Sequence, residues 1–425
     1  MCGITALSSS EEISNKKQKL LFNIHEKIKH RGPDATSFSL DKVNKTFLGH
    51  HRLSIIDIEA SNQPFKFQDI ELIFNGEIYN YLELREELIN FGYEFKTSGD
   101  TEVLIKAFHK WRNNVFDKID GMFCCIFKEK NKLIVSTDFF GEKPLYLYQN
   151  NCDIFLCSES LPLIENLDLK FNPDINDLYY FLGNGFMEFN CQGFGNLKRL
   201  KPGFIYEIMD GQIMKTFNYY SRKLFLDSSK EISSNSVLET LRESTKKRIR
   251  SDVNIGVFLS SGTDSVLTAC LLKECLGSNF TCLTSSTGSD DEEYHYANKI
   301  CKYLNLEHKK IFFEDSIKTY DAPSKLIDLY TVPNDNLSGL AIANLSRAVN
   351  KDIKVAFVGT GADEIFAGYN KYKEIYDKRI LLNNSFLEKF EYIFSKFNLY
   401  NFPKTLQIAL RNKNKKFLAF KNLFL

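Results

Sequence analysis

The sequence has one tryptophan and nine prolines in 425 residues. It has no run of about 18 apolar residues, the length a bilayer-spanning helix requires, so no membrane partner is expected. Neither sign of charge is in excess: 55 Lys and Arg face 54 Asp and Glu, a formal net charge of +1. A dedicated nucleic-acid or membrane-surface binder usually carries a basic excess, so neither role is expected. The start, Met1-Cys2-Gly3-Ile4, lacks the basic and long apolar segments of a secretion signal. The ten cysteines form no CxxC pair of the zinc-site type. Free thiols in a reducing cytoplasm are the simplest account, and a cytoplasmic location is expected. Hydrophobic residues at 43% and charged residues at 26% suit globular protein, and the length suggests two or three domains.

The first half is rich in short strand patterns, such as 47–51, 71–74, 122–127, 132–136 and 154–157, with Asn75-Gly76 reading as a turn between strands. Two helical patterns interrupt them. In 81–91, Leu84, Leu88 and Phe91 share a face; in 101–111, Val103, Leu104, Ala107 and Phe108 do, with Asp100-Thr101 as N-cap. Strands with segregated helices predict a layered α+β domain. A serine-rich polar stretch at 227–236 reads as a linker. Beyond it strand and helix patterns alternate: 254–259, 265–276, 281–284, 292–304, 309–313, 337–349, 353–358, then a helix from Asp363. That rhythm predicts a parallel, doubly wound sheet with its site at the strand C-termini. From about Tyr376 the pattern is a Lys-, Asn- and Phe-rich helix without readable chemistry.

Cys2 is the strongest single feature. Removal of Met1 before this small residue would give one amino acid both a thiol and a free α-amine. An α-amine titrates near 7.7–8.0, so it can take the thiol proton around neutral pH. By itself a second-position cysteine means little. It is followed, however, by His30-Arg31-Gly32-Pro33-Asp34, His51-Arg52-Leu53-Ser54-Ile55-Ile56-Asp57 and Gln63-Pro64. Then come Phe74-Asn75-Gly76-Glu77-Ile78-Tyr79-Asn80, Ser98-Gly99-Asp100-Thr101-Glu102, Gly121-Met122-Phe123 and Gly141-Glu142-Lys143-Pro144-Leu145-Tyr146. In that order these resemble the class II glutamine amidotransferase domain of the asparagine synthetase family, from Cys2 to about Glu159 and more loosely to about Tyr220. Amide hydrolysis needs a thiolate, a proton donor for leaving ammonia and a stabiliser of the oxyanion. The resemblance gives the oxyanion role to the Asn75 side chain and the Gly76 N–H, with glycine permitting close main-chain approach. It gives the glutamine α-carboxylate to Arg52, whose fork matches carboxylates. Asp100 would pair with the glutamine α-ammonium, and Glu77 and the backbone of Leu53, Ser54, Ile55 and Ile56 would line the pocket. His30, His50 and His51 are read as structural, since the α-amine already supplies a base.

After the strand ending at Leu259 comes Ser260-Ser261-Gly262-Thr263-Asp264-Ser265, opening a helix. Small residues at a strand-to-helix turn present N–H groups to an anion. No Gly-Lys-Ser/Thr follows, so it is not a Walker loop. It resembles the SGGxDS pyrophosphate loop of ATP pyrophosphatases. Val358-Gly359-Thr360-Gly361-Ala362-Asp363-Glu364-Ile365-Phe366-Ala367-Gly368-Tyr369 resembles the SGEGADE segment of asparagine synthetases. The resemblance places Leu259 and Thr284 near the nucleotide, with Thr284 at the adenine-contacting position, and Val358 and Gly359 against it through backbone. Asp264 and Asp363 are the candidate Mg²⁺ ligands, since Mg²⁺ takes carboxylate, phosphate and water oxygens; the alternative for Asp363 is the N-cap of a helix beginning at Glu364. Three departures stand out. Ser261 replaces a family glycine, with Thr263 where leucine is frequent. Thr360 replaces the glutamate tied to the acyl-adenylate step. No counterpart of the family's later RVPFLD-type motif is found before Leu425.

The expected fold is therefore an α+β N-terminal nucleophile hydrolase, an αββα sandwich, over 2–220. An α/β doubly wound parallel-sheet ATP-pyrophosphatase domain would follow over 235–425, its short C-terminus native or truncated. The resemblance implies glutamine-dependent, ATP·Mg²⁺-driven amidation of aspartate, with ammonia passing through an internal channel and a homodimer allowed for. Another carboxylate acceptor, such as a polysaccharide sugar acid, and a glutaminase with a degenerate second half are the alternatives.

Overall fold

The computed structural model describes residues 1–187, 193–219, 233–286, 291–312 and most of 327–372. The first half is built on two antiparallel six-stranded sheets. One holds β1 (Gly3–Ser9), β2 (Ala35–Asp41), β3 (Thr46–Arg52), β8 (Tyr146–Gln149), β9 (Asp153–Cys157) and β10 (Leu197–Arg199), in the order β10-β8-β9-β1-β3-β2. The other holds β4 (Phe65–Phe67), β5 (Ile70–Ile78), β6 (Gly121–Glu129), β7 (Lys132–Thr137), β11 (Phe204–Met209) and β12 (Gln212–Asn218), in the order β12-β11-β7-β6-β5-β4. Alternation along each strand divides its side chains between two cores. Ile4, Ala6, Leu48, Ile73, Cys124, Ile126 and Val135 fill the space between the sheets. Helices α2 (Tyr81–Asn90) and α3 (Asp100–Trp111) cover the second sheet through Leu84, Leu88, Leu104 and Phe108, packed with Phe74, Cys125 and Phe127. Helices α1 (Asn15–Glu26) and α4 (Leu161–Asn166) cover the first through Leu21, Ile24 and Leu163, packed with Leu7, Phe47 and Phe155. These four layers are the αββα sandwich expected. Adjacent Cys124 and Cys125 thus serve opposite faces of one strand.

Two local expectations are corrected. Asn75-Gly76 is not a turn: both lie inside β5, opposite Cys124 and Phe123 of β6. An Asn-Gly pair reads as a turn by composition, yet here apolar residues on both sides carry the strand through it. Asp100 is the first residue of α3, not its N-cap; Gly99 caps, and the Asp100 carboxylate instead accepts from Ile78 N at 3.0 Å.

A short helix α5 (Ile175–Asn184) precedes the second half. Ser233 caps α6 (Ser234–Arg248), so the end of the expected linker is helical; its earlier residues, and the segment from Tyr376, lie outside the described residues. Four parallel strands follow: β13 (Ile255–Phe258), β14 (Thr281–Ser286), β15 (Glu307–Phe312) and β16 (Val355–Phe357), in the order β15-β14-β13-β16. Helices α7 (Thr263–Leu276), α8 (Glu292–Leu304) and α9 (Ser338–Val349) connect or flank them, and α10 (Ala362–Phe366) is the last described element. Ile255, Val257, Ala269, Leu272, Cys282, Ala297 and Cys301 form this half's main core. The sheet is the parallel, doubly wound type expected. The chain runs outward from β13 to β15 and then crosses to β16, so the switch in strand order lies between β13 and β16, where ligands of open α/β sheets bind. No described helix is long and apolar enough to cross a membrane.

Candidate active sites

Cys2 enters β1, whose Gly3 pairs with His51 at the end of β3. This register sets the thiol beside the residues leaving β3: Sγ donates to Leu53 O at 3.7 Å and accepts from Leu53 N at 3.3 Å. Arg31 Nε fixes the Cys2 carbonyl at 3.0 Å while its Nη1 pairs with Glu159 at 3.0 Å. Burial pushes the Cys2 thiol up, partly opposed by its bond to Leu53 and by the nearby amine. Burial also lowers the chain's α-amine, carried here by Met1, to about 6. That value belongs to the Met1 amine; a base at Cys2 would be the amine exposed once Met1 is removed.

Across the inter-sheet space lies β5. Asn75 is 1% exposed and its Nδ2 has no acceptor. A buried amide N–H without a partner is rare in folded protein, and a pocket that must donate to a developing oxyanion supplies a reason for one. Gly76 has φ of 153°, and a Cβ there would collide with Met122 O of the paired strand. The close approach that demands glycine is therefore β5 on β6.

Glu77 and Asp100 form a buried acidic pair. Burial, then the charge of Asp100, raises Glu77 well above the usual carboxyl range; its Oε2 has no partner. Burial raises Asp100 to about 6, opposed by bonds from Ile78 and the first turn of α3. Lys143, the α-amine and Arg52 oppose that rise at Glu77, and a ligand ammonium at the pair would favour the ionised carboxylates further.

Arg52 departs from the simple picture. Its Nη1 donates to Ile58 O at 2.8 Å and Asn62 Oδ1 at 3.3 Å, and its Nη2 to Ile56 O at 3.2 Å and Asp57 O at 2.5 Å. The fork thus organises the 53–58 loop, and a carboxylate would meet Nε–H or displace these carbonyls. Asp57 extends the same scaffold, accepting from Ser61 Oγ at 2.8 Å and from Ser98 N and Gly99 N at 3.2 Å. His50 bonds Phe74 O at 3.2 Å, His51 bonds His25 O at 2.9 Å, and His30 meets Glu159 at 2.9 Å. None of the three bonds Cys2. Lys143, buried beside Glu77 and Glu142, was not singled out in the sequence, nor were Arg31, Asp34 and Asp57 given roles. All four sit within the motifs quoted, which was the available signal.

The second site forms at the switch point. Leu259 and Ser260 continue from β13; Gly262 caps α7, and Ser261, Gly262 and Thr263 are exposed. Ser260 Oγ and Ser265 Oγ bond at 2.8 Å, and Ser260 Oγ also accepts from Gly262 N at 3.1 Å, fixing the turn. Gly359, following β16, packs on this turn: a Cβ there would stand 2.9 Å from Ser265 N and 3.1 Å from Asp264 Cβ. Thr284, at the C-terminal end of β14, is buried, donates to Leu259 O at 2.7 Å and lies 2.9 Å from His308 Nε2. Its hydroxyl is committed, leaving main chain to meet a base. Val358 and Thr360 are exposed.

Asp264 lies in the first turn of α7, and no described residue donates to its carboxylate. Asp363 lies in the first turn of α10, half-buried, with Gly361 as the N-cap; the alternative N-cap role for Asp363 is thus corrected, the helix starting one residue before it. No group of three or more His, Cys, Asp or Glu among the described residues could hold a metal alone. One or two carboxylates with phosphate oxygens and water suit Mg²⁺, so these residues fit a cation brought with a phosphate rather than a resident one.

Residues 1–220 match the family described as Glutamine amidotransferase domain, and residues 236–417 the family described as Asparagine synthase. An "Asparagine synthetase [glutamine-hydrolyzing] 1" of Bacillus subtilis (strain 168) is 30% identical over 385 residues, 88% of this chain and 60% of that protein. A "Putative asparagine synthetase [glutamine-hydrolyzing] 2" of Methanocaldococcus jannaschii is 29% identical over 416 residues, 87% of this chain and 76% of that protein. A "Putative asparagine synthetase [glutamine-hydrolyzing] 1" of the same organism is 30% identical over 412 residues, 89% of this chain and 71% of that protein. The chain thus belongs to the glutamine amidotransferase class, and within it to the family of glutamine-hydrolysing asparagine synthetases. It spans 60% of the length of the Bacillus relative.

Proposed function

We propose that this protein hydrolyses glutamine at Cys2 and uses the ammonia to amidate a carboxylate activated by ATP, aspartate being the favoured acceptor. The observations that carry the reading are the Cys2 sulfur held at Leu53, the Glu77 carboxyl close enough to act on that thiol, and the free buried N–H of Asn75 two residues before Glu77 on β5. With Met1 removed, the Cys2 amine takes the thiol proton and the thiolate attacks the glutamine amide carbon. Asn75 Nδ2 and Gly76 N–H receive the oxyanion, the amine returns its proton to leaving ammonia, and water releases glutamate. Glu77 and Asp100 orient glutamine by its α-ammonium, and the 52–58 loop by its α-carboxylate.

In the second half, 259–265 and 358–361 cradle the nucleotide phosphates. Asp264 and Asp363 would hold Mg²⁺, which offsets charge on the departing pyrophosphate. The acceptor carboxylate displaces pyrophosphate from the α-phosphorus, giving an acyl-adenylate. Ammonia, conducted between the halves, attacks the acyl carbon and AMP leaves. Adenylation is needed because a carboxylate oxygen is a poor leaving group. A cytoplasmic location belongs to this reading, and the nine described cysteines, all free thiols, support it. Residues 2–220 and 235–425 are the two working units proposed.

Thr360 favours a second reading, in which the acceptor is another acid, such as a sugar acid, because the glutamate linked to aspartyl-adenylate is replaced. Purified protein given glutamine, aspartate and ATP separates the cases. Glutamate, asparagine and pyrophosphate together support the proposal. Pyrophosphate with another acid alone supports the second reading, and glutamate without pyrophosphate under any acid overturns both. Cys2→Ala should abolish glutamine use while synthesis from added ammonia persists; retained glutaminase activity would remove Cys2 from its role.

A further inference from the structure

Where β13 and β14 end, a chain of hydrogen bonds crosses three strands. The ladder between β13 and β14 runs one step past β13, with Leu259 N donating to Leu283 O at 2.9 Å. The Leu259 carbonyl then leaves the ladder, and the Thr284 hydroxyl donates to it at 2.7 Å. His308 of β15 completes the chain, its Nε2 2.9 Å from Thr284 Oγ1. Parallel pairing sets His308 opposite Cys282, two residues before Thr284 and so on the same face of the sheet. That register brings the ring within reach of the hydroxyl.

The polarity of this chain is forced. A carbonyl only accepts, and a hydroxyl has one proton to give. Thr284 spends that proton on Leu259 O, so it must accept from His308, and His308 Nε2 carries a hydrogen. Helix α8 fixes the ring from the other side. The side-chain amide of Asn298 stands 3.3 Å from His308 Nδ1, and Tyr294 stacks on the imidazole with ring centres 5.1 Å apart and planes at 20°. Tyr294 and Asn298 are four residues apart and share one face of α8. Asp291 caps that helix by accepting from Tyr294 N at 3.1 Å, so the stacking residue is itself anchored.

We propose that His308 is a positioning residue of the nucleotide site, which through the Thr284 hydroxyl holds the main chain of Leu259 and Thr284 in place for the base. The inference rests on the function proposed above, which seats ATP at these strand ends. A base read by main chain needs that main chain held within about 0.5 Å. Without His308 the Thr284 hydroxyl is held by one bond instead of two, and its buried oxygen goes without a donor.

The fold of this half does not hang on His308. The ring is half-buried and lies outside the main core, which Ile255, Val257, Leu272, Cys282 and Cys301 build. Among the described residues its hydrogen bonds go to Thr284 and Asn298, and neither the 260–265 turn nor the 358–361 segment receives one. Losing the imidazole donor should therefore weaken contact with the base and spare contact with the phosphates.

The test is titration calorimetry of the full chain with ATP·Mg²⁺ and, separately, with inorganic tripolyphosphate and Mg²⁺, which offers phosphates without a base. His308→Leu should raise Kd for ATP at least about fivefold, the scale of one lost hydrogen bond, and change the tripolyphosphate response less than twofold. His308→Gln, whose side-chain N–H can take the place of Nε2–H, should restore ATP binding to within about twofold of wild type. Thr284→Val should copy His308→Leu, and the double variant should be no worse than Thr284→Val. Thr284→Val carries the same comparison should His308→Leu fail to fold. A wild type that binds no ATP overturns the function and this inference together. A wild type that binds ATP while His308→Leu binds it equally well, an equal loss of ATP and tripolyphosphate binding, or no recovery in His308→Gln overturns this inference alone.

Discussion

Replacing Asn75 with alanine should cut glutamine hydrolysis severely while barely altering stability. The residue is 1% exposed and its Nδ2 has no acceptor in the free protein. Leaving a buried donor unsatisfied costs about 1–3 kcal/mol, so deleting it returns part of that sum. The truncation also removes packing between β5 and its surroundings, and the two terms oppose each other. A net stability change within about 1 kcal/mol is expected, a few degrees of melting temperature at most. On the proposed mechanism the same N–H faces a full oxyanion in the transition state. Loss of one such donor lowers kcat roughly 10²–10³-fold, equivalent to about 2.7–4 kcal/mol. A gap of that size between the two measurements would mark a group reserved for the reaction. Glutamate release under saturating glutamine gives the rate, and thermal unfolding of the same samples gives stability. Activity within threefold of wild type would remove Asn75 from the oxyanion site. Activity lost only in step with folded protein would make it structural.

The acidic pair sets a pH dependence. Asp100 is raised to about 6, and a carboxyl raised on folding stabilises the fold below its unfolded value of about 3.9 and loses that contribution as pH climbs through 6. Thermal unfolding of Cys2→Ala should therefore show stability lost over that window, with the shift produced by glutamine growing between about pH 5 and pH 7 as the pair ionises to meet the ammonium; equal shifts at both would count against the pair. Gly359→Ala places a Cβ 2.9 Å from Ser265 N. It should raise KM for ATP in ammonia-dependent pyrophosphate release and leave glutamate production near wild type; loss of both activities would show a general folding defect instead. Asp264→Ala should stop pyrophosphate release while glutamate still forms, and unchanged release would exclude it from holding Mg²⁺.

Much of the architecture was legible in the sequence because period and turn chemistry are local. Short apolar, strand-like runs marked β3, β6 and β7, and the 3.6-residue spacing of Leu84 and Leu88 marked α2. The strand-to-helix turn at 260–265 was legible because small residues between a buried strand and a helical pattern mark such a junction. Asn75-Gly76 misled as a turn, since composition alone does not reveal that β6 lies within contact on one side.

By itself the sequence determined the two sheet types, the thiol at position 2 and the residue kinds gathered around it, each expressed within a few neighbouring positions. Tertiary structure alone decided that Arg52 spends its fork on the loop it borders, that Thr284 turns its hydroxyl inward, and that Lys354, through Asp34, and Asp252 reach the 53–58 loop. Those contacts join residues as far apart as 320 positions, Lys354 to Asp34. Such pairs are chosen by how finished surfaces fit, which no run of adjacent side chains encodes.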